Sequence, residues 1–233
     1  MKWLFLDLPV KRVKWITTVS EKSKNEIIEF TGCEPNKIIV IPNPVDIRFQ
    51  EAESKNMSDS PVLLFLGTKP NKNLENVIAA LYKLDIHLRI IGDMSKKQQN
   101  LLEKFSISYS SVANISDETL TKEYMNCDIV LFPSLYEGFG LPVIEGFCAG
   151  KPVITSNLSP MKDIAKDAAL LVDPYSISSI RDGVNEVINN HELRQSKVEK
   201  GKLIAQFYQS KKIFTEYENL WRQVQDSRTK IAL

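Results

Sequence analysis

Histidine and cysteine are scarce in this chain of 233 residues, which has only His87 and His191 of the first and Cys33, Cys127 and Cys148 of the second. No Cys or His pair falls at the spacing of a zinc site, so no metal site is expected. Three cysteines set far apart argue for free thiols in a reducing compartment rather than for a disulfide framework. Net charge is nearly absent too, at +1. No global field therefore gathers nucleic acid, and an anionic ligand would have to be held locally. No apolar run approaches the ~20 residues of a membrane span. Met1–Val10 begins with Lys2 and large apolar residues, but Asp7 and Pro9 interrupt it and no small-residue cleavage site follows, which argues against a signal peptide.

What remains is the composition of a soluble globular protein, 43% hydrophobic and 25% charged. It is long enough to bury a substantial core in one large domain or two small ones. The opening, Met1 to Lys14, mixes Trp3, Phe5 and Leu6 with Lys11, Arg12 and Lys14. Two readings stand for it: peripheral contact with an anionic membrane surface, or a short arm that packs on something else.

From Trp15 onward the pattern is regular. Ile16 to Val19 reads as a short strand, and Ser20 caps a predicted helix from Glu21 to about Thr31 that Gly32 ends. Ile38 to Ile41 is a second short strand, followed by a turn stiffened by Pro42 and Pro44. Gln50 to Ser60 is polar, a loop or linker. Val62 to Leu66 is an uninterrupted apolar strand, Gly67 to Lys72 a polar turn, and Leu74, Val77, Ile78 and Leu81 share one helical face. Leu88 to Ile91 ends in Gly92, a polar helix follows around Lys96 to Phe105, and Ser116 caps a helix over Asp117 to Met125.

Ile129 to Phe132 suits a strand buried on both faces. After the central loop come strands at Val153 to Thr155 and Leu170 to Val172, a helix over Ile177 to Ile188, and a helical tail from Glu192 in two or three pieces. The last piece carries Ile213, Phe214, Tyr217, Leu220 and Trp221 on one face. Strands alternating with helices at this spacing imply an α/β fold with a doubly wound parallel sheet and right-handed crossovers.

The chemistry concentrates in the stretch from Asp128 to Ile154. Pro133 stops the strand, Ser134 to Leu141 form a loop, and Pro142 fits the first position of a helix, where its missing N–H costs nothing. Such a loop lies at the carboxyl edge of the sheet, where open α/β sheets bind ligands. Glu137 and Glu145 stand eight residues apart across it. Gly138 and Gly140 let a ligand approach the backbone, and the free N–H groups of the helix start can hold an anion. A carboxylate accepts two hydrogen bonds from adjacent sugar hydroxyls, so the pattern suits a sugar attached to a phosphate. Two glutamates alone at this spacing would be read as one solvated and one pairing on its helix; the glycines, the prolines and the buried strand favour the binding reading.

A second place, Gly67-Thr68-Lys69-Pro70-Asn71-Lys72-Asn73, lies between a strand and a helix. It lacks the second glycine and the Lys-Ser/Thr ending of a P-loop. It keeps a lysine near a helix N-terminus, able to neutralise a phosphate as a point charge.

Residues 134 to 145, Ser-Leu-Tyr-Glu-Gly-Phe-Gly-Leu-Pro-Val-Ile-Glu, resemble the Glu-x7-Glu signature of the retaining glycosyltransferases of family 4 (group 1), which have the GT-B fold. The segments Val19 to Lys24, Ile41 to Asp46, Phe65 to Gly67, Gly150 to Ile154 and Ala169 to Pro174 agree in order with that family, and the likeness runs from about Trp15 to Trp221. The resemblance implies a Rossmann-like, C-terminal half of a GT-B fold: 1–45 as the end of an acceptor domain and the interdomain connection, 46–200 as the donor domain, and 201–233 as helices that pack back toward a first domain this chain does not match. It implies that Glu137 contacts hydroxyls of the transferred sugar and Glu145 the ribose. It also implies that Gly138, Phe139, Gly140 and Leu141 meet the sugar and diphosphate through their backbone, and that Lys72 binds the diphosphate. Gly67 would end the donor-site strand. Where the family usually has arginine this chain has Thr68, and Lys69 is the candidate replacement for its charge.

The expected activity is transfer of a hexose from a nucleotide diphosphate sugar, with retention and without metal or other cofactor, to a saccharide or lipid-linked acceptor. An acceptor-domain protein acting in trans is the expected partner, and the expected location is the cytoplasm or the inner face of the membrane. A non-catalytic nucleotide-sugar-binding module, or a truncated and inactive transferase, is the alternative.

Overall fold

The computed structural model describes residues 7–45 and 57–229. Trp3, Phe5 and Leu6 of the opening arm, and most of the predicted 50–60 linker, lie outside the described residues.

The first elements among the described residues are a short helix, α1 (Leu8–Arg12), strand β1 (Ile16–Thr18), helix α2 (Glu21–Thr31) and strand β2 (Ile38–Val40). Ser20 Oγ accepts a hydrogen bond from Ser23 N at 3.1 Å, and Gly32 closes α2 at a φ of 67°. The cap and the stop are those expected. β1 and β2 pair in parallel as a two-stranded sheet.

The alternating elements follow: β3 (Val62–Leu66), α3 (Leu74–Ala80), β4 (His87–Ile91), α4 (Lys96–Lys104), β5 (Tyr109–Val112), α5 (Asp117–Asn126), β6 (Ile129–Phe132), α6 (Leu141–Cys148), β7 (Val153–Ser156), α7 (Met161–Ala165), β8 (Leu170–Val172), α8 (Ile177–Asn189) and α9 (His191–Ala205). A 3-10 turn at Gln206–Tyr208 leads to α10 (Ser210–Thr229). The chain divides into two compact units, residues 1–46 with 207–233 and residues 47–206.

In the first unit, Val45 forms a parallel bridge with Gln209, and its amide donates to Tyr208 O at 2.9 Å. The second unit holds a six-stranded parallel sheet in the order β5-β4-β3-β6-β7-β8. The chain runs outward from β3 through β4 to β5, then returns to the other side of β3 as β6. This reversal is the topological switch point at which such sheets take their ligands. Leu63 and Phe65 point to one face of β3, into a cluster with Leu74, Val77, Ile78, Ile180 and Val184 of α3 and α8. On the other face, α6 comes so close that a Cβ on Gly146 would lie 2.7 Å from Val153 Cγ2. Burial on both faces is what the unbroken apolar runs of β3 and β6 require.

Three elements were not expected from the sequence: α1, β5 and α7. β5 is Tyr-Ser-Ser-Val, an edge strand with little apolar signal that forms because β4 offers it a register from Leu88↔Tyr109 to Ile91↔Val112. One expectation is corrected. Pro142 occupies the second position of α6, not the first, because Gly140 adopts a φ of 109° and starts the helix one residue earlier, at Leu141. A side chain resists that conformation; glycine does not.

Candidate functional site

Two loops meet at the carboxyl edge of the switch point. The first leaves β3 at Gly67, whose amide donates to Ile91 O at 2.7 Å and whose φ is 84°. A Cβ on Gly67 would lie 3.0 Å from Lys72 Cε and Cγ, so the absence of a side chain lets the lysine stem fold across the strand end. A 3-10 turn over Pro70–Lys72 delivers that lysine, with Lys72 N donating to Lys69 O at 2.8 Å. The second loop leaves β6 at Pro133 and carries Glu137.

Lys72 Nζ donates to Glu137 Oε1 at 2.7 Å and lies 4.7 Å from the centroid of the Phe132 ring. The lysine and glutamate side chains keep 21% and 14% of their surface, buried enough that solvent screens the pair less than an exposed one, yet still open to a ligand. The two residues singled out from separate stretches of sequence therefore stand in contact.

Asparagines hold the two loops together. Asn71 Nδ2 donates to Tyr136 O at 3.0 Å and Leu135 N donates to Asn71 O at 2.8 Å. Asn73, buried and at a φ of 72°, donates through Nδ2 to Pro133 O at 3.1 Å and to Pro174 O at 2.7 Å, which brings in the loop after β8. Sequence reasoning gave these asparagines no role. The available signal was an Asn directly before a helix, the non-glycine residue that best tolerates left-handed backbone. Asparagine there also carries an amide able to bridge two carbonyls.

Lys69 is exposed on the same turn. Thr68 is spent locally: its hydroxyl donates to Asp93 O, and its carbonyl accepts from Gln98 Nε2 at 2.9 Å. Gly138 is exposed on the second loop, Phe139 and Gly140 are buried, and Leu141 is half-buried as the first residue of α6. The start of α6 thus directs its backbone dipole at this edge.

Glu145 does not join Lys72 and Glu137. It sits on α6 with 9% of its surface exposed, and Tyr124 Oη donates to its Oε2 at 2.5 Å. Burial pushes the Glu145 carboxyl above its ordinary value, the Tyr124 hydrogen bond opposes that, and the charge of Asp117 adds to it. Tyr124, fully buried on α5, is a residue that reasoning from the sequence missed; one tyrosine on a polar helix carries no distinguishing signal.

A cavity of about 600 Å³ lies elsewhere, beside the amino ends of β6 and β7, with Asp128, Lys151 and Arg194 in its wall. Two of its cations are engaged with backbone: Lys151 Nζ donates to Met125 O at 2.9 Å, and Arg194 Nη1 to Val187 O and Ile188 O at 2.7 and 2.6 Å. They cap helix ends there. The switch-point loops hold the charged pair and the glycines, and on that chemistry they are the candidate site. Among the described residues no three His, Cys, Asp or Glu side chains are grouped as metal ligands would be.

Residues 46–203 match the family model described as glycosyl transferases group 1. An uncharacterized glycosyltransferase of Methanocaldococcus jannaschii is 28% identical over 217 residues, covering 91% of this chain and 60% of its own length. The O-antigen chain mannosyltransferase B of Escherichia coli is 24% identical over 232 residues, covering 90% of this chain and 60% of its own. The Anabaena protein HepE, solved in complex with UDP and glucose, superposes with a TM-score of 0.82 at 16% identity, over 94% of this chain and 66% of its own; at that identity the likeness is one of fold. The chain spans about 60% of the length of these curated relatives.

Proposed function

The chain belongs to the glycosyl transferases group 1 family, and on that premise we propose that it is the donor-binding part of a retaining family 4 glycosyltransferase. It transfers a hexose from a nucleotide diphosphate sugar to a saccharide or lipid-linked acceptor. The observation that carries this reading is the 2.7 Å contact between Lys72 and Glu137, one from each of the two loops at the switch point of a parallel sheet.

Lys72 is the cation for the diphosphate, and Glu137 takes hydroxyls of the transferred sugar. In the absence of donor the two neutralise each other; a donor satisfies both at once, its phosphates replacing the carboxylate at Lys72 while the sugar hydroxyls replace the ammonium at Glu137. Backbone groups of Gly138, Phe139, Gly140 and Leu141 line the path between them, Gly67 admits the lysine stem, and Glu145 receives the ribose. As the bond to the anomeric carbon breaks, charge grows on the departing diphosphate. Lys72, the positive end of α6 and the exposed Lys69 stabilise it. No metal enters this scheme.

A hexose donor is supported by the mannosyltransferase among the relatives, and a nucleotide diphosphate by HepE with its bound UDP. The acceptor site is proposed to come from an acceptor domain in trans. Exposed Lys11, Arg12 and Lys14 support contact with the inner face of a membrane, and among the described residues no helix is long and apolar enough to cross one.

Isothermal calorimetry with UDP, GDP and ADP, and then with their sugar conjugates, tests the reading. One nucleotide is expected to bind, and Lys72→Ala is expected to weaken it at least tenfold, the order of a lost charge-assisted contact of ~1.5–3 kcal/mol. Glu137→Ala is expected to weaken the sugar conjugate more than the bare nucleotide. Binding of none of them would remove the basis of the proposal.

A further inference from the structure

We propose that Tyr124 is a positioning residue for the donor site: its phenol holds one oxygen of Glu145 so that the carboxylate meets the ribose hydroxyls in a single orientation. The inference rests on the reading of Glu145 as the ribose acceptor.

The two residues come from different helices, Tyr124 from α5 and Glu145 from α6, and meet in the interior. The Oη to Oε2 distance of 2.5 Å is that of an O–H donor on a carboxylate. An ionised carboxylate has no proton to give, so the phenol is the donor in this bond. A carboxylate has about four acceptor positions, so ample capacity is left for the hydroxyls of a ligand.

Glutamate has three side-chain torsions and loses much rotamer freedom when ordered. A partner already fixed in the core removes that cost before the ligand arrives. Tyr124 is such a partner because α5 is itself pinned. Arg89 of β4 grips the adjacent Glu123 with two bonds, Nε to Oε2 at 2.8 Å and Nη2 to Oε1 at 2.5 Å. Lys151 caps the same helix at Met125 O, and Cys127 Sγ donates to Tyr124 O at 3.2 Å. Burial, with the charge of Glu145 second, holds the Tyr124 phenol well above its ordinary value, so it remains a donor. The chain therefore reads as β4 fixing α5, α5 presenting Tyr124, and Tyr124 setting Glu145.

Calorimetry on the full chain with UDP and GDP, each against its 2′,3′-dideoxy form, separates this role from packing. The wild type is expected to prefer the ribose form by about tenfold, the scale of a hydrogen bond to a charged group. Tyr124→Phe keeps the ring and is expected to reduce that preference to under about threefold, and to have no further effect when added to Glu145→Gln. Glu145→Asp, which draws the carboxylate back from the phenol while keeping its charge and the Tyr124 ring, is expected to lose the preference as well, and it serves if Tyr124→Phe does not fold. If the wild type binds neither nucleotide, or does not distinguish ribose from dideoxyribose, the role of Glu145 falls and the proposal with it. If the wild type discriminates and Tyr124→Phe discriminates equally well, Tyr124 only packs; if Glu145→Asp discriminates equally well, the bond from Tyr124 to Glu145 does not set the preference and the proposal falls.

Discussion

Glu145 shows how burial changes what a side chain can do. As a position in a sequence it is one of a pair of glutamates; in the fold it is an acid kept out of water beside a phenol. Its folded pKa is raised, so the folded state binds its proton more tightly than the unfolded chain. Stability therefore falls as pH rises from the unfolded value through the raised one, and the penalty is complete above it. Glu145→Gln abolishes that penalty: its urea midpoint relative to wild type is expected to be more favourable at about pH 7.5 than at about pH 4.5. An equal difference at both would mean the charge is not penalised. The thiols follow the same logic. Burial pushes Cys127 up to about 12 and Cys148 to about 11, with the charge of Glu145 adding at Cys148. Both are expected to resist iodoacetamide in the native protein at about pH 8, and to react within the same interval once urea unfolds it, as peptide mapping would show.

Helices and strands were legible where a period or a cap repeated the message. β3 and α2 take their predicted bounds because an unbroken apolar run and a Ser…Gly frame leave little choice. β5 was illegible because an edge strand needs only a neighbour's backbone: His87 accepts or donates to Ser108 and Ser110 at 2.9 and 2.8 Å, contacts no pattern in Tyr-Ser-Ser-Val announces. The packing of α9 on α6 was equally hidden. A Cβ on Gly201 would lie 2.6 Å from Phe147 Cδ1 and 3.0 Å from Cγ, and Phe147 is two residues from Glu145. Gly201→Ala must displace a buried ring and the helix that bears it. It is expected to cost ~1–3 kcal/mol in urea denaturation, and to weaken nucleotide binding although it touches no ligand. Unchanged binding would mean that α6 absorbs the shift.

At the scale of the molecule, the first unit carries α10 with Ile213 buried at 2% and Phe214 and Trp221 exposed at 64% and 63%. The face expected from the sequence exists as a helix stripe, and much of it faces solvent. Such a stripe asks for a partner, and the proposed acceptor domain is the one the resemblance names. Added in trans, that domain is expected to shift Trp221 fluorescence to shorter wavelength and to bring sugar transfer with it, whereas the purified chain alone transfers little or none. Transfer by the chain alone, lost on Glu137→Ala, would overturn this expectation. Retained donor binding with no transfer under any pairing would favour a binding module.

Local chemistry, read from the order of residues alone, determined the class of fold, most element bounds, and the two loops at the switch point, because apolar runs, caps and glycines act over a few residues. The resemblance of the Glu137 loop to a glycosyltransferase signature is read over the same short range. Long-range juxtaposition was a different matter. That Lys72 and Glu137 touch, that Asn73 bridges Pro133 to Pro174, and that Tyr124 meets Glu145 depend on strand order and helix approach over separations of 65, 60, 101 and 21 residues. Packing sets these contacts, and only packing could decide that the two glutamates would part company, one to a lysine at the rim and one to a phenol in the core.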